Sequence, residues 1–417
     1  MDKTVDAIGT IAIIGALDTK GEEFAFLKNE IEKRGCQTLV INVGILGEPA
    51  FAPDIGAEAV AQDAGAALSD LAAKRDRGRA LNTISRGIPA ILKRLYDEGR
   101  FDGVISMGGG GGTAIGCAAM RALPVGIPKL MVSTVAASDV SPHIGTSDIT
   151  MMPSIVDVSG LNRISRKIFA NAAGAICGMV SGKKMDGTLE VGEKPLIAAS
   201  MFGNTTRATD AARAVLESCG YEVLCFSATG TGGKTMEMLI EQGYFRGVLD
   251  ITTSEIADEI CGGVHSAGPD RLGAAAKAGV PQVVTPACID MCNFFGRETI
   301  PTKYEGRIFY NWNPNVTLMR TTPEENAHMG KIFAEKLNAA RGPVSVFIPM
   351  GGFSEMDAPG KPFWWPEADQ AFVDSLKVGL RADIALTITE NNVNDAEFAE
   401  TLARTLLEMI GKNEVSS

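Results

Sequence analysis

Phe101-Asp-Gly-Val-Ile-Ser-Met-Gly-Gly-Gly-Gly-Gly-Thr113 carries a short apolar strand into five consecutive glycines, with a helical stretch, Ala114–Leu123, beyond them. Glycine loses more backbone entropy on folding than any other residue, so five in a row need a cause. The usual cause is a partner that must approach the main chain closer than a Cβ allows. N–H groups that open a helix attract anions, phosphate above all. Gly108, Gly109, Gly110, Gly111, Gly112 and Thr113 are therefore expected to cradle the phosphates of a ligand.

The 417 residues exceed one ordinary core and predict two or three domains. Hydrophobic residues make up 45% and charged residues 21%, as in globular proteins, and the net charge of −11 argues against nucleic acid or an acidic membrane surface as partner. Eight cysteines lie mostly in apolar runs such as Val223–Phe226, which reads as buried free thiols in a reducing compartment. The apolar run Ile8–Leu17 is flanked by Asp2, Asp6 and Asp18, the wrong charges for a signal peptide, so the chain reads as cytoplasmic.

The pattern of the first segment returns later in the chain. Ile11–Val43 and Leu196–Ser227 both read strand, loop, helix, Gly, strand, and align without a gap at an offset of 185 residues, Gly35 against Gly220. Phe24, Leu27 and Ile31 form the apolar stripe of the first helix; Ala212, Val215 and Cys219 form that of the second. Phe101-Asp-Gly-Val-Ile echoes Phe245-Arg-Gly-Val-Leu, and Gly126-Ile-Pro echoes Gly279-Val-Pro. Uninterrupted apolar strands alternating with helices mean parallel sheets covered on both faces. The fold class is α/β: two Rossmann-like domains with parallel sheets, related by internal duplication, at residues 1–188 and 194–417. Their boundary is expected in the Gly- and charge-rich stretch Ser181–Lys194.

In such sheets ligands bind beyond the carboxyl ends of strands. The first such loop holds Asp18, Thr19 and Lys20. Asp18 or Thr19 could simply cap the helix that follows, while Lys20 stands where it could meet a phosphate. Ser133–Asn162 reads as a long loop rich in hydroxyls, among them Ser133, Thr134, Thr146 and Ser147, with Asp139 and Asp148; Arg163, Arg166 and Lys167 follow on a helix, facing either a phosphate or water. A dinucleotide fingerprint fits the polyglycine run formally, but no carboxylate ends the next strand. Ala228-Thr-Gly-Thr-Gly-Gly-Lys-Thr235 misses a P-loop because Ala228 replaces its first glycine and the run follows the second strand of its domain. A plain anion site at Gly230–Thr235 remains open. Ile289–Phe294 and Asn311–Asn315 place polar side chains among aromatic ones, as a cleft lining or a packed turn.

Several blocks resemble UPF0261, bacterial proteins related to the N-terminal inhibitory region of the tomato mosaic virus resistance protein Tm-1. They are Gly108–Thr113, Gly145–Ile149, Pro153–Asn162, Ala228–Gly233, Gly247–Glu255, Leu318–Thr322, Asp357–Lys361 and Asn394–Phe398. The resemblance implies two Rossmann-like subdomains, ATP binding in the first, and a homodimer. Ser227 and Lys234 depart from it, standing where His and Arg are expected. On this reading the chain binds ATP: Gly108–Thr113 hold the phosphates, Asp18, Thr19 and Lys20 flank them, and Ser133, Thr134, Thr146, Ser147, Asp148 and Arg163 add polar contacts. The phosphates could recruit Mg²⁺, with Asp148 or Asp139 nearby. Two alternatives stay open: an enzyme acting on a small carboxylate or phosphorylated metabolite between the halves, and a nucleotide-dependent protein-interaction module.

Overall fold

A computed structural model of the chain describes residues 7–73, 77–185 and 194–416. The chain divides into two compact units, Met1–Val191 and Gly192–Ser417. Of the boundary stretch expected at Ser181–Lys194, residues 186–193 lie outside the described residues, and Ser181 to Met185 belong to a helix.

The first unit runs β1 (Thr10–Gly15), α1 (Gly21–Glu32), β2 (Gln37–Asn42), α2 (Ala57–Asp63), α3 (Leu68–Ala73), α4 (Arg77–Asp97), β3 (Gly103–Gly108), α5 (Gly110–Arg121), β4 (Lys129–Ser133), α6 (Ser141–Ile144), β5 (Thr150–Pro153) and α7 (Arg163–Met185). The strands form one parallel sheet in the order β2-β1-β3-β4-β5. Strand alternation sends Ala12 and Ile14 to a face covered by α2, α4 and α5, and Ile11 and Ile13 to a face covered by α1 and α7. Helices that follow the adjacent strands β1 and β3 thus leave to opposite faces, which opens the switch-point crevice between their carboxyl ends. The stretch read as a long loop contains both α6 and the edge strand β5. The four residues of β5 show no alternation of burial.

The second unit continues with β6 (Leu196–Met201), α8 (Thr206–Ser218), β7 (Glu222–Ser227), α9 (Thr231–Glu241), β8 (Phe245–Thr252), α10 (Ser254–Cys261), α11 (Ala274–Ala278), β9 (Gln282–Ala287), β10 (Met291–Phe294), β11 (Phe309–Asn313), β12 (Val316–Arg320), α12 (Pro323–Asn338), β13 (Val344–Pro349), α13 (Pro366–Gly379), β14 (Ala385–Thr389) and α14 (Ala396–Ser416). Its parallel sheet has the order β7-β6-β8-β9-β13-β14, the first unit's order with one strand added. The internal duplication is therefore topological. β2 and β7 even begin and end at the 185-residue offset read from the sequence.

Inserted between β9 and β13 is a small antiparallel sheet, β10-β12-β11, which holds both aromatic–polar segments that had read as cleft or turn. Two details of the second half also differ from expectation. On α8 the buried stripe is Ala208, Ala212 and Leu216, with Cys219 exposed. Cys225 is exposed as well, because β7 is the edge strand and one of its faces meets water. The remaining six thiols are free and buried.

Among the described residues, no helix is long and apolar enough to cross a membrane. In the second core Phe333 and Phe372 meet edge to face at 5.1 Å between α12 and α13. Phe333→Ala is expected to lower the unfolding free energy by about 3–5 kcal/mol in urea titration; a loss under ~1 kcal/mol would contradict the packing described.

Candidate functional site

The glycine run is shared between strand, cap and helix. Gly108 ends β3, Gly109 is the N-cap of α5, and Gly110–Gly112 form its first turn, four residues earlier than the sequence suggested. Three of the five glycines have a packing reason. A Cβ on Gly108 would lie 2.9 Å from Gly112 Cα, one on Gly111 3.3 Å from the Leu81 side chain, and one on Gly112 3.3 Å from Met107 O. Gly110 has none: a Cβ there meets nothing within 4 Å. No side chain caps the helix. Thr113 turns inward instead, its hydroxyl meeting Gly109 O at 2.9 Å and Ser133 Oγ at 2.6 Å. Thr134 N–H donates to Gly108 O, so the end of β4 braces the glycine turn from below.

The loop after β1 lies beside it at the switch point. Neither Asp18 nor Thr19 caps α1, whose N-cap is Lys20. Asp18 Oδ2 accepts Leu46 N–H at 2.7 Å, while its Oδ1 is buried without a hydrogen-bond partner. Gly44 leaves room for that carboxylate, since a Cβ there would come within 2.3 Å of Oδ1. Thr19 is exposed, and Lys20 Nζ donates to Val158 O. Two residues that sequence reading missed shape this corner. Asn42 Oδ1 accepts Leu17 N–H and Gly44 N–H, and Glu23 Oε1 accepts Gly160 N–H at 2.5 Å. No motif flagged Asn42, because an Asn at a strand end is indistinguishable from a turn former.

Asp148 is not brought to the glycine turn. It pairs with the wholly buried Lys129 at 2.5 Å and accepts Gly126 N–H. Lys129 opens β4 whereas Ser133 closes it, so Asp148 sits at the amino edge of the sheet, about 13 Å of strand away. Burial pulls the Lys129 amine below its ordinary range, against the pull of Asp148. Thr146 and Ser147 stay with it: they follow α6, where His143 O takes Arg121, the last residue of α5. These three residues stood out by polar density alone, and β5 then runs along the sheet beside β4 and brings the chain to the carboxyl side at Ser154. Arg163 begins α7 and is exposed.

The second glycine loop is occupied from within. Glu255 Oε1 accepts Gly230 N–H at 2.7 Å and Gly233 N–H at 3.1 Å, so a carboxylate of the chain itself fills the anion position at the start of α9. A Cβ on Gly233 would fall 2.1 Å from that carboxylate, and one on Gly232 1.9 Å from Ser227 O. Arg271, 1% exposed, holds Glu255 at 2.6 Å, Asp250 through two bonds of 2.5 and 2.7 Å, and Glu237 at 3.1 Å. Burial pushes Glu255 up, against the pull of Arg271. The glycines of Gly230–Thr235 thus serve the fold, which corrects the open expectation of an anion site there.

Burial also raises Asp258, to about 7, although Asn293 and the His265 N–H donate to it. A carboxyl raised in the folded state adds stability at low pH, in full below about pH 4, and loses it as pH rises through about 7. The thermal midpoint is expected to fall between about pH 5 and pH 8, and the fall to flatten in Asp258→Asn; an unchanged slope in the variant would count against this burial. Asp148→Ala leaves the buried Lys129 amine with only the Pro124 and Ile127 carbonyls as acceptors and no counter-charge, and is expected to cost about 1–3 kcal/mol in urea unfolding; an unaltered midpoint would contradict the pair.

The models for the uncharacterised protein family UPF0261 match the chain over residues 9–185 for the N-terminal domain and 194–410 for the C-terminal domain. A UPF0261 protein of Clostridium tetani is 50% identical over 403 residues, covering 96% of this chain and 99% of that protein. UPF0261 protein RA0729 of Rhizobium meliloti is 42% identical over 392 residues, 94% and 96% of the two chains. The ToMV resistance protein Tm-1(GCR237) of Solanum lycopersicum is 40% identical over 342 residues, 81% of this chain but 45% of the plant protein. Among solved structures, UDP-N-acetylglucosamine 2-epimerase from Rickettsia bellii aligns over 97% of this chain and 96% of its own at 11% identity, with a TM-score of 0.22, too slight to bear on fold or function.

Proposed function

The chain belongs to the uncharacterised protein family UPF0261, and on that premise we propose that it binds ATP, with the phosphates on the Gly108–Thr113 turn. The observation that carries this reading is Gly110. It costs helix stability and satisfies no packing need, yet it stands at the uncapped, exposed start of α5. A phosphate oxygen is an acceptor for the N–H groups of that first turn and gains from the helix dipole. Thr113 and Ser133 support the reading as braces of the turn, and Thr134 stands at its rim.

Lys20 would exchange the Val158 carbonyl for a phosphate, which is charged and therefore the stronger partner. The orphan Asp18 Oδ1 would take a hydroxyl of the ligand or a Mg²⁺-bound water, since Mg²⁺ draws most of its ligands from phosphate and water. Arg163 is a peripheral contact in this reading. Thr146, Ser147 and Asp148 have no part in it.

ATP is expected to raise the melting temperature in step with its excess over Kd, by about 2.7 kcal/mol of stabilisation at a hundredfold excess. Gly110→Val, whose side chain enters open space, is expected to keep the ligand-free midpoint and lose most of the shift. No shift at millimolar ATP, or an equal shift in the variant, would overturn the proposal.

A further inference from the structure

The carboxyl-end loops of the second unit contain buried acceptors that no hydrogen bond completes. Asn204, which follows β6, is 1% exposed, and its Oδ1 has no partner; its amide N–H₂ lies 3.5 Å from Sδ of Met291. Asp290, the residue before Met291, is wholly buried, takes the Ser354 hydroxyl on Oδ2 at 2.8 Å, and leaves Oδ1 alone. Cys288, two residues earlier, holds φ at 62°, a strained conformation for a residue with a side chain. The unpartnered atoms of both residues are acceptors. A buried acceptor without a donor costs about 1–3 kcal/mol, more when it is charged.

The charge count points the same way. Arg320 is the guanidinium among Asp290, Asp357 and Asp369, bonded to Asp369 at 2.7 Å, 3.6 Å from Asp357, and donating to the Asp290 carbonyl. Three carboxyl groups share one cation. Aromatic side chains lie beside Met291 and Asn204: Phe202 packs with Cys288 and Met291, its ring 5.9 Å from that of His265, and Trp312, 44% exposed, lies 3.8 Å from where a Gly203 Cβ would be. Among the described residues, no group of three or more His, Cys, Asp or Glu is placed to hold a metal ion.

We infer a second ligand site in this protein, at the carboxyl end of β6, that takes a small cationic amine. Its N–H groups supply the donors that Asn204 Oδ1 and Asp290 Oδ1 lack, its charge offsets the carboxyl excess around Arg320, and its carbon chain lies against Trp312 and Phe202, where a cation also gains from the ring faces. The site is independent of the nucleotide turn and does not rest on it.

Calorimetric titration of the full chain with putrescine and ethanolamine, and with 1,4-butanediol as the uncharged counterpart of putrescine, tests this directly. An amine is expected to bind saturably below ~10 mM while the diol does not. Asn204→Ala, Asp290→Asn and Trp312→Ala are each expected to weaken amine binding at least tenfold, with circular-dichroism melting confirming that each variant is folded. Trp312→Ala keeps the test decisive if the two buried changes unfold the chain. No saturable heat from either amine, equal binding of the diol, or ordered water alone on Asn204 and Asp290 in a crystal soaked with putrescine would overturn the inference.

Discussion

The first N–H groups of a helix have no partner within it, and the two glycine turns of this chain meet that shortage in opposite ways. At α9 the acceptor is internal: Glu255 reaches Gly230 and Gly233 and is itself held by Arg271. At α5 no side chain caps the turn and Gly110 opens onto free space. Glycines at α9 make room for a carboxylate of the chain. Those at α5 divide between packing and an approach that nothing in the chain itself uses. The proposed placement of a ligand in the first unit, rather than at the second glycine turn, rests on that contrast.

Duplication copied the architecture and not the chemistry. Both sheets share the strand order around β1 and β6, so each has a switch point beyond those strands. In the first unit the turn after β3 carries glycines. In the second the corresponding turn after β8 carries Thr252, Thr253, Ser254 and Glu255, all wholly buried. Its neighbours Asp250, Asp258 and Asp290 make that edge acidic. Asp258 and Asp290 titrate high, rising to about 7, each chiefly through burial.

Sequence periodicity was enough for the fold because the signals were long. Continuous apolar strands and the unbroken 185-residue offset specified two parallel sheets. Elements of only four residues, such as α6 and β5, gave no comparable signal, and segments of the antiparallel insert β10-β12-β11 read as cleft lining or turn because its exposed strand β11 mixes aromatic and polar residues. The turn itself was legible as a strand-to-helix junction because a glycine run at a helix start is a local signal. Asp148 was not, since its role depends on Lys129 lying at the opposite end of β4, a fact of three dimensions. Glu255 was equally hidden: only the fold brings it 22 residues back to Gly233.

A crystal structure of the full chain with ATP and Mg²⁺ tests the central claim most directly. The account predicts phosphate oxygens within hydrogen-bond distance of the N–H groups of Gly110–Gly112, with Lys20 turned from Val158 toward them. Nucleotide bound at Gly230–Thr235 with Glu255 displaced, or an α5 turn left bare beside a nucleotide bound elsewhere, would contradict it.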